Sequence, residues 1–503
     1  MTDQANVLSI DIGAESGRGI VGRFDGAQLT LHEVRRFPNI PVRLTANDGA
    51  GSHLHWDILR LWHELQETLT AAARTTDAGL TSVGVDTWGV DFALLDRTGA
   101  LIGNPYHYRD DRTDGLLAEA FRHVPREAIF EQTGIQFLQF NTLYQLFAMV
   151  IAQSPLLEAA ETLLTIPDLL NYWLTGRQVC EFSNATTTQC YDPRQGSWAR
   201  RLLETLEIPT DLFPPIVAPG TQLGELVPTV ADELDLQRLP VIAPACHDTG
   251  SAVAAVPARG VDFAYISSGT WSLIGTETSK PVINSQTLSF NLTNEGGVEG
   301  TFRLLKNVMG LWLVQACKRT WEADGEELSY DRLTELAAQA PPLRSIIDPD
   351  HGEFLKPGDM PARIRAFCRR TGQPVPESQG AIIRCTLESL ALKYRWVLER
   401  LEEILDYWLS PIHIVGGGSQ NALLNQLTAD AAGRPVVAGP VEATAIGNVI
   451  VQLMALGYVD SLAAGRRLVE ASFDTETYEP DGGPAWEAAY EKLLAVMDQE
   501  TVS

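Results

Sequence analysis

The pattern of apolar and polar positions predicts strands and helices that alternate along the whole chain. Residues 7–11 form a short apolar run typical of a buried strand, and Gly13 and Gly17 mark a tight turn into a second strand at residues 19–24. Residues 28–35 predict a third strand. The chain is therefore expected to open with a three-stranded meander.

A helix is predicted next, with Asp57 as its N-cap. Its apolar residues recur at helical spacing, at Ile58, Leu61, Leu65, Leu69 and Ala72. Residues 82–86 then predict a strand that leads into Thr87, Trp88 and Gly89. The order is meander, helix and strand.

The second half of the chain predicts a similar opening. Residues 263–267 and 270–276 are expected to form two strands joined by a turn at Ser268 and Gly269. Thr386 is expected to cap a helix. Residues 412–415 are expected to form a strand that leads into three consecutive glycines.

The predicted elements then continue to residue 453. A strand at residues 435–438 precedes a helix with one apolar face, formed by Ile446, Val449, Ile450 and Leu453. We interpret the two similar halves as two α/β domains, residues 1–250 and 251–503, that are hinged and face each other across a cleft. No Pro-, Gly- or Ser-rich spacer separates them.

Composition narrows the classes of partner. The 503 residues include 38 Lys and Arg against 64 Asp and Glu, a formal net charge of -26. This balance disfavours nucleic acid and anionic membranes, since both require clustered cations. The N-terminus lacks a signal-peptide pattern, and no apolar run approaches the length of about 20 residues that a membrane span needs. We therefore expect a cytoplasmic protein.

The six cysteines have neither a C-x-x-C pair nor the spacing of zinc ligands. Reduced thiols in the core are the expected state, and the sequence leaves open a link between Cys368 and Cys385. The chain also lacks a G-x-x-x-x-G-K-[ST] loop, the signature segments of protein kinases and a G-x-G-x-x-G turn near its start. These absences argue against P-loop enzymes, protein kinases and Rossmann dehydrogenases.

Three glycine-bearing turns are candidate phosphate or nucleotide contacts. In the segment DIGAESGR, residues 11–18, a carboxylate at a strand end is followed by a turn and an arginine, the parts that can hold a phosphate chain and Mg²⁺. An ordinary hairpin with a solvent-facing arginine is the alternative. The turn at residues 267–270 and the triple glycine in residues 415–421 could contact the same nucleotide. An ordinary strand-to-helix turn is the alternative for the triple glycine.

Two further segments are candidate sugar contacts. In residues 245–256 either Asp248 or Thr249 is expected at a helix N-cap, where the helix dipole would keep a carboxylate ionised and able to accept a proton. Adjacent His247 is either a sugar contact or a buried histidine. In the segment DTWGVDF, residues 86–92, Trp88, Gly89 and Asp91 could bind a sugar, unless this is a core tryptophan with two surface aspartates.

Ten segments in order resemble the FGGY family of carbohydrate kinases, and within it the branch that acts on L-rhamnulose. The segments read DIGAESGR, GVDTWGVDFALLD, IQFLQFNTLYQL, PDLLNYWLTG, SNATTTQ, HDTGSAV, YISSGTWSL, TNEGG, LKNVMGLWL and HIVGGGSQNALLNQL. The similarity runs from residue 7 to about residue 456. The resemblance implies a two-domain actin-like, hexokinase-like (ribonuclease H-like) ATPase fold. It also implies transfer of the γ-phosphoryl group of ATP to the 1-hydroxyl of L-rhamnulose, in L-rhamnose catabolism.

The resemblance also implies an N-terminal domain, residues 1–250, that binds the sugar and carries the catalytic base, and a C-terminal domain, residues 251–503, that binds the nucleotide. It further implies roles for individual residues. Asp248 would accept the hydroxyl proton, and Asp11 would help to hold Mg²⁺. The sugar would contact Gly89, His247, Asp248 and Thr249. ATP would contact Ala14, Glu15, Ser16, Gly17, Arg18, Thr270, Asn307, Gln315 and Gly417.

The chain departs from the wider family at two places. Ala14 and Glu15 replace the usual Thr and Ser of the first loop, and Ala245 and Cys246 replace two glycines before the base. Both departures are familiar in the branch that acts on L-rhamnulose, and they argue against glycerol and xylulose kinases. The alternatives are a kinase for another deoxyketose such as L-fuculose, or a non-catalytic nucleotide-gated sugar-binding protein on the same fold.

Overall fold

The computed structural model describes residues 4–45, 51–76 and 79–498. The absence of a signal-peptide pattern was predicted from the N-terminal residues, and the first three of these lie outside the described ranges. The chain forms two compact units. The first contains Met1–Pro257, Glu277–Leu304 and Ala443–Ser472, and the second contains Ala258–Thr276, Leu305–Glu442 and Phe473–Ser503. Compactness does not test which residues bind which ligand, so the assignment of the sugar to residues 1–250 and the nucleotide to residues 251–503 stays a prediction.

The strands of the described chain, in chain order, are β1 Ala5–Ile12, β2 Ser16–Phe24, β3 Leu29–Pro38, β4 Val42–Thr45, β5 Ser52–His55, β6 Ser82–Thr87, β7 Phe92–Leu95, β8 Thr162–Thr165, β9 Cys180–Glu181, β10 Tyr191–Asp192, β11 Ser197–Trp198, β12 Ile216–Val217, β13 Thr221–Glu225, β14 Pro240–Ala243, β15 Ala264–Ser268, β16 Trp271–Thr278, β17 Thr293–Gly296, β18 Phe302–Met309, β19 Ile412–Val415, β20 Val436–Ala438 and β21 Glu476–Tyr478.

The helices are α1 Ile58–Arg74, α2 Leu116–His123, α3 Arg126–Thr133, α4 Thr142–Ile151, α5 Pro155–Ala159, α6 Ile166–Thr175, α7 Phe182–Thr187, α8 Arg200–Thr205, α9 Pro228–Glu233, α10 Asp248–Ala254, α11 Ser285–Ser289, α12 Trp312–Ala323, α13 Tyr330–Gln339, α14 Met360–Arg370, α15 Gln379–Leu405, α16 Ala422–Ala432, α17 Ala443–Ala455, α18 Leu462–Ser472 and α19 Pro484–Asp498.

The first unit is built on a six-stranded sheet with the order β13-β14-β6-β1-β2-β3. β1 pairs antiparallel with β2 and parallel with β6, and β2 pairs antiparallel with β3. The predicted meander is therefore confirmed. α1 begins after Asp57, whose side chain accepts a hydrogen bond from the Arg60 N–H, and its predicted apolar face is buried. That cap was also predicted.

The helix α17 packs on this sheet and is buried on more than its predicted apolar face. Ile446, Val449, Ile450 and Leu453 are all buried, as their spacing predicts. Two polar side chains, Asn448 and Gln452, are buried as well, and the Gln452 Nε2 donates to the Leu8 carbonyl at 3.0 Å. The two buried amides are therefore hydrogen-bonded to backbone carbonyls of the sheet, as buried polar groups usually are.

The second unit repeats the opening of the first. β15 pairs antiparallel with β16 and parallel with β19, as β1 pairs with β2 and β6. Beyond β19 lie β20, which is parallel to it, and then β21, which is antiparallel to β20. The predicted similarity of the two openings is thus confirmed, and both sheets place the turn after the first strand beside the end of a parallel neighbour.

The prediction that Thr386 caps a helix is wrong. The N-cap of α15 is Ser378, eight residues before Thr386 in the chain, and its side chain accepts a hydrogen bond from the Ala381 N–H. Thr386 lies inside α15, where its hydroxyl donates to the Ile382 carbonyl at 3.0 Å. A threonine can satisfy its hydroxyl in this way within a helix, so its presence alone does not locate a helix start.

The described residues contain no helix that is both long enough and apolar enough to span a bilayer. All six cysteines are free and buried. The expected core thiols are therefore present, and Cys368 and Cys385 are not joined in this structure.

Candidate active site

Two carboxylates meet at one edge of the first unit's sheet. Asp11 lies near the end of β1 and Asp86 near the end of β6, and these two residues are direct partners in the parallel register of the two strands. Parallel strands point their carboxyl ends to the same edge, where doubly wound folds usually bind ligands.

A third carboxylate, Asp248, comes to the same edge from the segment that follows β14. β14 pairs parallel with β6, and the Thr87 N–H donates to the Cys246 carbonyl at 2.9 Å. The negative charges of Asp11 and Asp248 both raise the pKa of Asp86, after the larger effect of its burial. The sheet thus gathers Asp11, Asp86 and Asp248 into one acidic group.

The backbone before Asp248 is held by two buried side chains. The Glu181 Oε2 accepts from the Cys246 N–H at 2.9 Å, and the Ser183 Oγ accepts from the His247 N–H at 3.0 Å. The Ser183 hydroxyl in turn donates to the Glu181 Oε2 at 2.5 Å. Burial raises the pKa of Glu181 to about 7. Glu181 and Ser183 therefore fix the path of the chain into α10.

Both predicted N-cap residues are wrong, because His247 is the cap and Asp248 and Thr249 are the first two residues of α10. The Asp248 Oδ1 accepts from the N–H of Thr249 at 2.5 Å, and 28% of the Asp248 side chain is exposed. Burial raises the pKa of Asp248 above its usual 3.8, His247 opposes this shift and Asp11 adds to it. The raised pKa makes Asp248 a stronger base.

Asp11 and Asp86 have different partners. Asp11 pairs with Arg18 across the β1–β2 hairpin, with 2.9 Å between the Arg18 Nε and the Asp11 Oδ2. The Asp86 Oδ2 accepts from the Asn448 Nδ2 at 2.5 Å. Its Oδ1 is buried and has no hydrogen-bond partner among the described residues. Such an oxygen is costly to bury without a partner, which marks it as a position for a ligand contact.

A pre-formed metal centre is absent from the described part of the chain: no group of three or more His, Cys, Asp or Glu side chains there is arranged to hold an ion. A magnesium ion that enters with a nucleotide needs less, because Mg²⁺ is commonly held by one or two carboxylates together with phosphate oxygens and water.

Gly89 lies in the loop that follows β6, next to this acidic edge. A Cβ added to Gly89 would lie 3.0 Å from the Thr187 side chain. Val90 has φ +67°, an unusual conformation for a β-branched residue. The loop is held in it by hydrogen bonds from the Val90 N–H to the Thr187 Oγ1, at 3.1 Å, and from the Thr142 Oγ1 to the Val90 carbonyl, at 2.5 Å. The backbone strain is thus supported by the surrounding side chains.

The alternative of a core tryptophan with two surface aspartates is wrong in its second part. Trp88 is buried, and so are Asp86 and Asp91. The Asp91 carboxylate accepts from Trp56 Nε1 at 2.6 Å, Trp88 Nε1 at 3.0 Å and Gln145 Nε2 at 2.8 Å. Burial raises the pKa of Asp91 to about 6. With both oxygens occupied by protein donors, Asp91 stabilises this region and is not arranged to bind a sugar.

His247 belongs to a buried cluster that the sequence did not predict. Its Nδ1 lies 3.2 Å from the Glu295 Oε2 and 3.2 Å from the Arg303 Nη2. Its Nε2 lies 3.4 Å from the Asp248 Oδ1. The ring therefore connects the charged pair Glu295 and Arg303 to Asp248. His247 is a largely buried histidine, as one of the two alternatives predicts, and a contact with the sugar stays a prediction.

The residues expected to contact ATP from the first unit lie on the β1–β2 hairpin. Ala14 and Glu15 are in its turn, closed by a hydrogen bond from the Gly13 N–H to the Ser16 carbonyl at 3.0 Å, and Glu15 is exposed. Gly17 lies inside β2, where an added Cβ would be 2.2 Å from the Phe37 ring. The packing against Phe37 is therefore sufficient to require glycine at position 17.

The remaining expected nucleotide contacts lie in the second unit. Thr270 is in the β15–β16 turn, and its carbonyl accepts from the Trp312 N–H at the start of α12 at 3.0 Å. Gln315 is on α12, and its Oε1 is a buried atom with no hydrogen-bond partner among the described residues. Asn307 is on β18. The geometry of α12 thus brings Gln315 near the turn that carries Thr270.

The triple glycine lies next to the same turn. Added Cβ atoms at Gly416 and Gly418 would lie 3.1 Å from the Ser268 carbonyl and 2.0 Å from its Oγ, whereas an added Cβ at Gly417 would meet no atom within 4 Å. Gly416 and Gly418 are therefore needed for packing against β15. Gly417 alone faces open space, which is the geometry expected of a glycine that a ligand approaches.

Four residues of this region were missed as site residues: Asn448, Glu181, Glu295 and Arg303. Asn448 is a polar residue among the apolar residues of α17, and a search for polar residues at core positions would have selected it. Glu181 is the last residue of the short strand β9. Glu295 lies in TNEGG, one of the segments that carry the resemblance. Arg303 has no local signal, because its partner beside the candidate base, His247, is 56 residues away in the chain.

Two α/β units that open alike, the first with three carboxylates gathered at one sheet edge, are compatible with the phosphoryl-transferring enzyme that the sequence predicts. The FGGY family of carbohydrate kinases matches the chain with both of its domains, the N-terminal domain at residues 6–255 and the C-terminal domain at residues 264–456. The chain belongs to this family, and it is a carbohydrate kinase.

Among its curated relatives are two named rhamnulokinase. The protein of Bacteroides thetaiotaomicron is 45% identical over 485 residues, which cover 96% of this chain and 98% of the relative. The protein of Pectobacterium atrosepticum is 43% identical over 501 residues, which cover 99% of this chain and 97% of the relative. The similarity therefore extends through both domains.

Solved structures show the same fold at much lower identity. Gluconate kinase from Lactobacillus acidophilus superposes with a TM-score of 0.79 at 16% identity, over 99% of this chain and 98% of the other. Xylulose kinase from the same organism gives a TM-score of 0.78 at 17% identity, with the same coverage. The expected two-domain α/β fold is confirmed.

Proposed function

We propose that this chain transfers the γ-phosphoryl group of ATP to the 1-hydroxyl of L-rhamnulose, giving L-rhamnulose 1-phosphate and ADP in the catabolism of L-rhamnose. The observation that carries the proposal is similarity to rhamnulokinases at 45% and 43% identity over nearly the full length of both chains. Ala245 and Cys246, which stand where the wider family usually has two glycines, agree with it.

Asp248 acts as the general base in this proposal. It is partly exposed at the start of α10, with a raised pKa and its neighbour His247 held beside it. A carboxylate in this position can accept the proton of the sugar hydroxyl as the new bond to phosphorus forms. Gly89, His247 and Thr249 would contact the sugar, and the tight loop at Gly89 and Val90 would let the sugar approach the backbone.

The nucleotide would contact the hairpin residues Ala14, Glu15, Ser16, Gly17 and Arg18, and in the second unit Thr270, Asn307, Gln315 and Gly417. The open space at Gly417 and the buried Oε1 of Gln315 support the second set. Arg18 supports the first, because a guanidinium can bind phosphate oxygens in two-point fashion.

Asp11 would hold Mg²⁺, with Asp86 beside it. The donor set fits the ion: Asp11 and Asp86 are register partners, and the Asp86 Oδ1 has no hydrogen-bond partner among the described residues. When bound with ATP, Mg²⁺ neutralises charge on the phosphate oxygens. The chain's own contribution is to keep both carboxylates at one sheet edge and to balance them with Arg18.

The substrate is tested by initial rates with a panel of ketoses. We expect ADP release with L-rhamnulose at a kcat/KM at least about tenfold above that with L-fuculose, since the loss of one well-placed hydrogen bond costs about 1.4 kcal/mol. D-xylulose and glycerol serve as negative controls. A higher kcat/KM with L-fuculose would reassign the substrate, and no turnover with any ketose would contradict the proposed function.

We expect Gly417→Val to raise the KM for ATP by about ten- to hundredfold, because the new side chain fills the open space that the nucleotide would use. The fold should be retained, since no atom lies within 4 Å of the added Cβ. Sugar affinity, measured by calorimetry without nucleotide, should be unchanged.

The matched control is Gly483→Val, which places the same side chain at another open position of the second unit. It should leave both substrate constants at their wild-type values. Weakened sugar binding in Gly417→Val with normal ATP binding would remove Gly417 from the nucleotide contacts.

A further inference from the structure

The buried cluster beside the candidate base contains a charged residue whose role the reaction does not explain. The Arg303 side chain has no exposed surface, and its Nε donates to the Gly296 carbonyl at 2.9 Å. Its Nη2 lies 3.2 Å from the Glu295 Oε2 and 3.2 Å from the His247 Nδ1. Burial of a guanidinium is costly unless it is paired, and Glu295 supplies the opposite charge.

The contact between Arg303 and His247 has a chemical consequence. A guanidinium can only donate hydrogen bonds and stays protonated in proteins. If the His247 Nδ1 also carried a hydrogen, two N–H groups would face each other at 3.2 Å. The Nδ1 also lies 3.2 Å from the Glu295 Oε2, which would accept a hydrogen from Nδ1 in the other tautomer. The hydrogen bond with Arg303 favours Nδ1 as the acceptor, and in a neutral imidazole the hydrogen then resides on Nε2.

The Nε2 is the atom that faces the candidate base. It lies 3.4 Å from the Asp248 Oδ1, at the start of α10. The backbone of His247 is also fixed, because its N–H donates to the Ser183 Oγ at 3.0 Å. Both the position and the proton of the ring are thus determined by groups that do not contact solvent.

We propose that Arg303, with Glu295 as its counter-charge, holds His247 in the Nε2–H tautomer, so that the ring presents a hydrogen-bond donor to a sugar oxygen beside Asp248. The proposal rests on the proposed function for the sugar contact. Arg303 and Glu295 are positioning residues, because they act through His247.

The tautomer is read directly from the ring ¹⁵N chemical shifts of the full-length protein without any ligand. The chain has nine histidines, and the signal of His247 is the one lost in His247→Gln. On the high-pH plateau of a titration, where the ring is neutral, we expect Nε2 protonated and Nδ1 unprotonated. The opposite assignment, with the hydrogen on Nδ1 toward Glu295, would overturn the proposal.

The double variant Arg303→Met, Glu295→Gln removes both charges together, so that neither is left buried alone. We expect its ring shifts to move toward a mixture of tautomers and its KM for the ketose to rise about tenfold, with the KM for ATP within about twofold of wild type. Unchanged shifts in a folded double variant would overturn the role of Arg303.

A matched control is Arg434→Met, Glu402→Gln, which removes another largely buried ion pair, in the second unit. It should leave the His247 shifts as in wild type. If it alters them to the same extent as the first double variant, the effect is a general loss of packing and the proposal is wrong.

Two single variants test the donor itself, because a glutamine amide nitrogen can take the place of Nε2 and an asparagine amide that of Nδ1. We expect His247→Gln to keep a KM for the ketose at least about fivefold lower than His247→Asn. Equal values, or a lower value for Asn, would overturn the donor role of Nε2. If wild type phosphorylates no ketose, the proposed function fails, while the ¹⁵N shifts still decide the tautomer.

Discussion

Asp248→Asn is expected to abolish turnover while both substrates still bind. The amide has the same shape, and its Oδ1 can still accept from the Thr249 N–H, which lies 2.5 Å away in the wild type. It loses only the ability to take a proton. General bases contribute about 10² to 10⁴ in rate, so kcat should fall by that factor while the KM for the sugar and for ATP change little.

The measurement is kcat for L-rhamnulose phosphorylation together with thermal unfolding of the same variant. Asp57→Asn is the matched control, since Asp57 caps α1 in the same unit and asparagine caps a helix about as well as aspartate. The control should keep both activity and stability. A folded Asp248→Asn enzyme that retains more than about a tenth of the wild-type kcat would contradict the assignment of the base.

The strands that carry the candidate site could be predicted from the sequence because each is a short apolar run bounded by glycine or polar residues. Residues 412–415 were predicted as a strand, and β19 has these same bounds. The position of Asp11 near the end of β1 and that of Gly417 after β19 follow from the same pattern. Short strands are therefore the elements whose bounds sequence reasoning predicted most accurately.

Helix starts were predicted less well. Asp57 was correctly assigned as a cap, whereas Thr386 lies inside α15 and Asp248 is one residue past its cap. Cap residues are recognised by their short polar side chains, and the same side chains can bond to a carbonyl within a helix. The pattern alone does not distinguish these two uses.

The polar core around the site could not be predicted, because its partners are far apart in the chain. Arg303 is 56 residues from His247, and Asn448 is 362 residues from Asp86. No spacing rule connects such pairs. Likewise Asp91 is a candidate sugar contact in the sequence, whereas in the folded chain its carboxylate accepts hydrogen bonds from Trp56 and Gln145.

A close contact between α10 and α17 gives the largest expected effect on stability. An added Cβ at Gly447 in α17 would lie 1.7 Å from the Ser251 carbonyl oxygen in α10. Because this neighbour is backbone, it can yield only by a shift of one whole helix against the other. α10 begins with Asp248, so any such shift also displaces the candidate base.

We expect Gly447→Ala to lower the unfolding free energy of the first unit by about 3 kcal/mol, as overpacking of a tight core does, despite the better helix propensity of alanine. In the molecules that remain folded, kcat should fall by up to about a hundredfold, since a displacement of about 1 Å is enough for such a loss. Thermal unfolding and kcat for L-rhamnulose are measured together. Gly352→Ala, where no atom lies within 4 Å of the added Cβ, should match wild type in both. If Gly447→Ala also matches wild type, the two helices do not need this close approach, and the position of Asp248 must depend on Glu181 and Ser183 alone.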